Sequence, residues 1–423
     1  MIKKTKAKYK QHKETIDNFF WRSLQIGAKQ GIIFLIFIFC AKLLSPYDFG
    51  IYNYALAIVF FLIIFGDFGI STATSKYVAE YNVTNKNKLK AVLFNSGIII
   101  LGLTIIISIL TLIIGPWYLK DKYIYVLYLL PLIFLAPMTS LYDGIYRGLK
   151  RFKQLAIIST IVGLISIVFV YILIAKYGLI GALISQNIFY LVLLGGLALG
   201  YRDFNFKFDK GVMKEVSNYS FIFGLAFLGY YLFARIDILV LGYYGYIKEI
   251  AYYELLNKIF IVLLFPFTIL GQVIAPNFTT FFAKGKYSTV YKKYIKYNFL
   301  FLLIGCALAV LSWAIIPIAI ELILPKYFNN LMWEILPISI ILFAISVWTS
   351  TIDGGIIVPV GYAKIMSLVY IPAGISALFI SLSLIKNFGF MSVILTHLVI
   401  YAVSILILKI IYYKKLKKLT LNI

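Results

Sequence analysis

The chain has 423 residues, 62% of them hydrophobic and 13% charged, with a formal net charge of +24. So apolar a chain cannot cover itself with the polar area that water demands, which excludes a soluble globular domain. Two cysteines and two histidines are too few for a disulfide framework or a zinc cage, so no metal site is expected.

The first twenty residues carry Lys3, Lys4, Lys6, Lys8, Lys10 and Lys13 and no apolar core, so no cleavable signal peptide is expected there. Residues 1–21 read as a basic cytoplasmic segment. From there the apolar residues come in blocks of about 18 to 25, the length that crosses roughly 30 Å of hydrocarbon at 1.5 Å per helical residue. Spans are predicted at 22–43, 51–72, 91–114, 123–141, 155–175 and 178–200, which make an N-terminal six-helix lobe over 22–200. A cytoplasmic link is expected at 201–215. Six further spans follow at 216–241, 250–274, 295–318, 333–351, 364–384 and 388–410, a second lobe over 216–410. Pro266 interrupts the eighth, which a packed membrane helix tolerates as a kink. Residues 411–423 form a basic cytoplasmic tail. The fold class expected is all-α integral membrane, with about twelve spanning helices in two six-helix bundles.

The loops between these spans orient them. One side takes roughly 28 lysines and arginines and the other about 6, namely Lys120, Lys122, Lys176, Lys248, Lys326 and Lys386. Both termini are therefore expected in the cytoplasm, against the anionic leaflet. Basic residues placed this way are topology signals, and they argue against nucleic acid as a partner. Every loop is too short to fold alone, so chemistry is expected among the helices.

An internal repeat divides the chain. Tyr142-Asp143-Gly144 matches Ile352-Asp353-Gly354 at a spacing of 210, and Lys176-Tyr177-Gly178 matches Asn387-Phe388-Gly389 at 211. A fainter match pairs Gly50-Ile51-Tyr52 with Ile250-Ala251-Tyr252-Tyr253. Two parallel six-helix bundles related by an axis along the membrane normal follow, an arrangement that places a transporter's substrate site between its halves.

Charges within spans are the candidate site, because each is costly there. Arg22, Gln25 and Lys29 share one face of the first span. Arg235 and Asp237 lie toward the outer end of the seventh span, and Glu254, Asn257 and Lys258 share a face near the start of the eighth. A purely structural reading pairs Arg235 with a nearby carboxylate, Glu254 with Lys258, and Asp143 with Arg147. Asp67 has no obvious local partner, which makes it a candidate for cation coupling. A basic interior at Arg22, Lys29, Arg235 and Lys258 suits an anionic substrate such as a pyrophosphate. Asp67, Asp237 and Glu254 are the candidate acids. Tyrosines at span ends read mostly as the interfacial belt, with stacking on sugar rings the alternative for Tyr230 and Tyr231.

Several of these stretches are familiar in order and spacing. Leu43-Leu44-Ser45-Pro46-Tyr47-Asp48-Phe49-Gly50-Ile51-Tyr52 is followed by Phe65-Gly66-Asp67-Phe68-Gly69-Ile70. Later come Arg147-Gly148-Leu149-Lys150-Arg151-Phe152 and Arg235-Ile236-Asp237-Ile238-Leu239-Val240-Leu241-Gly242. Together they resemble the Wzx-type polysaccharide exporters of the multidrug/oligosaccharidyl-lipid/polysaccharide flippase superfamily, over nearly the whole chain. The resemblance implies a V-shaped pair of bundles and translocation of a polyprenyl-pyrophosphate-linked oligosaccharide to the outer leaflet by alternating access. It implies no cofactor beyond coupling to protons or sodium. The phosphate-holding role maps onto Lys29, Arg235 and Lys258, and less firmly onto Arg22. Lipid II flippases usually add two C-terminal helices that this chain lacks. A monomer is expected. Two other functions stay open: a cation-coupled drug antiporter of the same superfamily, for which Asp67 would be the key acid, and a membrane-embedded polysaccharide polymerase, against which the short loops speak.

Overall fold

The computed structural model describes residues 2–201 and 207–421, with the side chains of residues 2–19 and of Lys29 outside the described set. Five residues of the expected 201–215 link therefore lie outside it. The described residues form helices and turns without a strand. In chain order the helices are α1 (Ile2–Leu43), α2 (Pro46–Asp67), α3 (Ile70–Thr84), α4 (Lys86–Leu119), α5 (Tyr123–Tyr128) and α6 (Leu132–Gly148). Next come α7 (Phe152–Gly200), α8 (Lys210–Tyr243), α9 (Ile247–Ala283), α10 (Tyr287–Ile323) and α11 (Asn330–Ile352). A π-helical turn (Asp353–Ile357) precedes α12 (Ala363–Leu421).

Nine helical stretches among the described residues are long and apolar enough to cross a membrane. Two of them are double. At about 1.5 Å per residue the 49 residues of α7 and the 59 of α12 would run well over twice the hydrocarbon thickness. Each breaks at a glycine in a conformation closed to other residues, Gly178 (φ 55°, ψ −130°) and Gly389 (φ 67°, ψ −164°). Another predicted span, 123–141, is built from α5 and α6 with a turn between them. All twelve predicted segments thus lie on helix, and the fold is that of an all-α membrane protein.

The second predicted span keeps its length of 22 residues and lies five residues earlier, at Pro46–Asp67. Helix α2 stops at Asp67 because Phe68 (φ 36°) and Gly69 (φ 81°) take left-handed conformations, and α3 starts afresh at Ile70. Apolar content continues through this break, so hydropathy alone cannot see it.

The chain divides into two compact units, Met1–Leu228 and Gly229–Ile423, with the boundary inside α8. The first unit packs Ile70, Tyr77, Tyr81, Val92, Tyr146 and Leu197 into one core, joined by Val212 and Val216 from the start of α8. The second packs Phe233, Phe278, Tyr294, Phe301, Ile356, Tyr370 and Tyr412. The outward faces are apolar too: Leu101, Ile105, Ile109 and Ile113 recur along α4, and Phe299, Leu303 and Val310 along α10, all exposed. So much exposed hydrocarbon is a liability in water and the normal surface of a protein in lipid.

Small residues set the helix contacts inside each unit. A Cβ on Gly144 of α6 would come 2.5 Å from the Ser71 carbonyl oxygen of α3, and one on Gly148 would come 2.7 Å from that of Ser75. Close backbone approach of this kind is how helices gain packing energy in lipid, where burial alone gives nothing. In the second unit the matching contact falls one residue late. A Cβ on Gly354 would meet nothing, whereas one on Gly355 would lie 2.9 Å from the Gly271 carbonyl oxygen of α9. The π turn supplies the extra residue, with the Val358 N–H donating to the Asp353 carbonyl five positions back at 3.0 Å. That accounts for the repeat spacing, which is 210 at Asp143 and Asp353, before the turn, and 211 at Gly178 and Gly389, after it.

Candidate functional site

Each unit contains a cavity with an arginine in its wall. In the first unit a cavity of about 460 Å³ is lined by α1, α2, α3, α6 and α7. Arg22 and Gln25 reach it from successive turns of α1, and Asp143 and Arg147 from successive turns of α6, so spacings of three and four place each pair on one face. Arg22 donates to Gln25 Oε1, and Gln25 Nε2 donates in turn to Asp143 Oδ1 at 3.4 Å. Arg147 Nε stands 2.7 Å from Asp143 Oδ2, its N–H not aimed along the contact, and Arg22 Nη1 lies 3.8 Å from Asp143 Oδ1. Two guanidiniums around one carboxylate leave the group one positive charge in excess. Ser71, Thr139, Ser140, Ser159 and Tyr190 add hydroxyls and Gln30 an amide, among apolar side chains such as Ile63 and Leu193.

Lys29 lies on α1, and its side chain is outside the described residues. Asp67 has the local partner that its sequence context did not reveal. Its Oδ1 accepts the Ser71 N–H at 2.9 Å and its Oδ2 accepts the Ser71 hydroxyl at 2.7 Å. It therefore caps the start of α3 just after the left-handed pair, a task any helix N-terminus gives a carboxylate.

In the second unit a cavity of about 370 Å³ is lined by Tyr230, Tyr231 and Arg235 from α8 and by Tyr253, Asn257 and Phe260 from α9. Ser339, Phe343 and Ser346 of α11 and His397 and Tyr401 of α12 complete it. Arg235 is ion-paired with Glu254, which is almost fully buried. The expected partner of Glu254 was Lys258, one turn along the same helix. The structure pairs it across helices instead, because a guanidinium offers a rigid fork to a buried carboxylate. Among the described residues Lys258 makes no ion pair, and it stands within the electrostatic reach of Arg235 and Glu254. Asp237 is buried, accepts its neighbouring Ile238 N–H at 2.8 Å, and lies 3.4 Å from His397 Nδ1.

The structure thus brings Arg235, Asp237, Glu254 and Lys258 into one unit, and Arg22 and Asp67 into the other. Reading the sequence missed His397 as the partner of Asp237, and the Gln25 link from Arg22 to Asp143. A histidine inside an apolar block was the available signal for the first, since ionisable groups at that depth need a partner. The second joins residues 118 apart in sequence, with no local trace.

Apolar, membrane-length helices that enclose charged cavities within two compact units define a multi-pass membrane protein. Its family is shown by residues 15–282, more than half of the chain, which match the model of the polysaccharide biosynthesis protein family. The chain belongs to that family. An uncharacterized membrane protein of Methanocaldococcus jannaschii is 26% identical over 247 residues, a match that spans 52% of this chain and 60% of that relative. Among solved structures, an inward-facing multidrug resistance MATE family transporter of the MOP superfamily superposes with a TM-score of 0.73 at 14% identity, over 92% of this chain and 96% of its own. The lipid II flippase MurJ in an inward closed conformation gives 0.73 at 16% identity, over 97% of this chain and 90% of its own. At such identities these two neighbours speak for the fold.

Proposed function

We propose that this protein carries a polyprenyl-(pyro)phosphate-linked oligosaccharide from the cytoplasmic to the outer leaflet of the plasma membrane by alternating access. The observation that carries the reading is the first-unit cavity, where Arg22 and Arg147 hold a net positive charge among apolar helices. Charge-assisted contacts from arginine suit a diphosphate, while the polyprenyl tail stays in lipid. The second-unit cavity suits the sugar. Its arginine is balanced by Glu254, and its wall alternates tyrosine rings with the hydroxyls and amide of Ser339, Ser346 and Asn257. Lys29 and Lys258 remain the further cationic candidates, with both termini in the cytoplasm, no cofactor, and protons or sodium as the coupling ion. A monomer suffices for this scheme.

The test is translocation of a fluorescent polyprenyl-pyrophosphoryl saccharide in proteoliposomes. Wild type is compared with Arg22→Ala, Lys29→Ala, Arg235→Ala and Lys258→Ala at matched insertion. Flipping by wild type and its loss in the variants supports the reading. Export of organic cations in place of flipping would replace it with an antiporter.

A further inference from the structure

The last helix carries a lysine that neither cavity uses. Lys409, in the second arm of α12, is 8% exposed, and Asp353, the first residue of the π turn, is 9% exposed. Each is the only charged group that acts on the other among the described residues. Even so, they do not close to a direct ion pair, and Asp353 Oδ1 and Lys409 Nζ both lack a hydrogen-bond partner.

Neighbouring polar atoms are in the same state. Trp348 Nε1 and the Tyr412 hydroxyl are buried without partners. Lys409 Nζ stands 5.3 Å from the Trp348 ring centre. The Tyr294 hydroxyl donates to the Lys409 carbonyl at 3.2 Å, and Asn298, one turn along α10, donates to the Tyr294 carbonyl at 2.9 Å. Orphaned polar atoms grouped inside a protein are normally answered by ordered water or an ion. A metal cation here would face Lys409, and an inorganic anion would face Asp353. Water serves the donors Lys409 and Trp348 and the acceptor Asp353 alike. A proton differs from these ions in bonding covalently to the Asp353 carboxylate, so it needs no coordination space beside Lys409.

We propose that Asp353 and Lys409 form an internal proton-binding site, bridged by water and separate from both cavities. In one state Asp353 is a carboxylate facing the Lys409 ammonium. Uptake of one proton breaks an O–H bond of a solvent hydronium, releasing water, and forms the carboxyl O–H bond of Asp353, leaving Lys409 as a lone buried cation beside the Trp348 ring. Packing of α12 against α11 then depends on the proton. Tyr294 of α10 and Tyr370, Tyr401 and Tyr412 of α12 are the other titratable groups that face Asp353. Tyrosines lose protons only in the alkaline range, so a transition at acid to neutral pH belongs to the pair. None of this depends on what the protein transports.

The test is made on the full chain in lipid nanodiscs, without any transported ligand. Two signals are followed between acid and neutral pH. One is the infrared difference band of a buried protonated carboxyl. The other is the emission of Trp348, isolated by subtracting the Trp348→Phe variant. Wild type is expected to show both, with one shared midpoint. Asp353→Asn should abolish both, and Lys409→Met should move the midpoint by at least a tenfold change in proton concentration. Should the single variants misfold, the double variant Asp353→Asn/Lys409→Met carries neither charge and must show neither signal. A carboxyl band and a Trp348 transition that persist unchanged in Asp353→Asn or in the double variant overturn the proposal, as does their absence from wild type.

Discussion

Asp143 Oδ2 lies 2.7 Å from Arg147 Nε on the same helix, while Asp143 Oδ1 faces Gln25 and Arg22 from α1. The carboxylate therefore occupies the two guanidiniums that an anionic substrate would use. Asp143→Asn is expected to free them and to raise the affinity for a polyprenyl-diphosphate saccharide several-fold, about 1 kcal/mol. Equilibrium binding in detergent checks this. Weaker binding would mean that Asp143 holds the arginines in their productive place.

Glu254 is the buried half of its pair with Arg235. Glu254→Ala strands a guanidinium inside the unit and is expected to cost roughly 3 kcal/mol of stability. Arg235→Met/Glu254→Leu removes both charges and should recover most of the loss. Thermal unfolding of the three variants in one detergent decides it. A double variant as unstable as the single would show that the charges themselves hold α8 to α9.

The offset of the glycine contacts gives a paired prediction. Gly144→Ala presses a methyl onto the Ser71 carbonyl and should cost about 1–3 kcal/mol, as overpacking does. Gly354→Ala, at the position matched by sequence, meets open space and should change stability by less than about 0.5 kcal/mol. Gly355→Ala should behave like Gly144→Ala. If Gly354 proves to be the sensitive position, the register shift assigned to the π turn is wrong.

Gly178 isolates the cost of backbone conformation. A Cβ there meets nothing within 4 Å, yet its φ of +55° with ψ of −130° is open to glycine alone. Gly178→Ala is expected to cost about 1–3 kcal/mol without any steric contact. Neutral behaviour would show that the turn between the arms of α7 adjusts freely.

Much of this architecture was legible in the sequence, because span length and apolar content are set by the thickness of a bilayer. All twelve predicted segments lie on helix, and the two helical hairpins turn at Gly178 and Gly389, which the repeat had already paired. The break at Phe68 was not legible, since left-handed backbone leaves hydropathy unchanged. The site was read as a set of charged residues and not as a set of pairs. Local spacing suggested Glu254 with Lys258, while the fold chose Arg235, and Asp67 found Ser71 one turn ahead. Partners across helices depend on rotations that a single sequence does not display. Asp353 was read only as part of the repeat, and its relation to Lys409 went unseen because each sits at the edge of its apolar block, where a charge passes for an anchor.

The π turn at Asp353–Ile357 reads as the scar of an insertion. A duplicated ancestor would have carried the same acid twice, each answered four residues on by a base, as Asp143 is answered by Arg147. One added residue, about 100° of helical rotation, parts the two lineages. Four places beyond Asp353 now stands Ile357, and the acid has turned inward toward a lysine near the end of the chain. The two acids are therefore not interchangeable: Asp143 stands in a cavity wall beside two arginines, and Asp353 is buried outside both cavities.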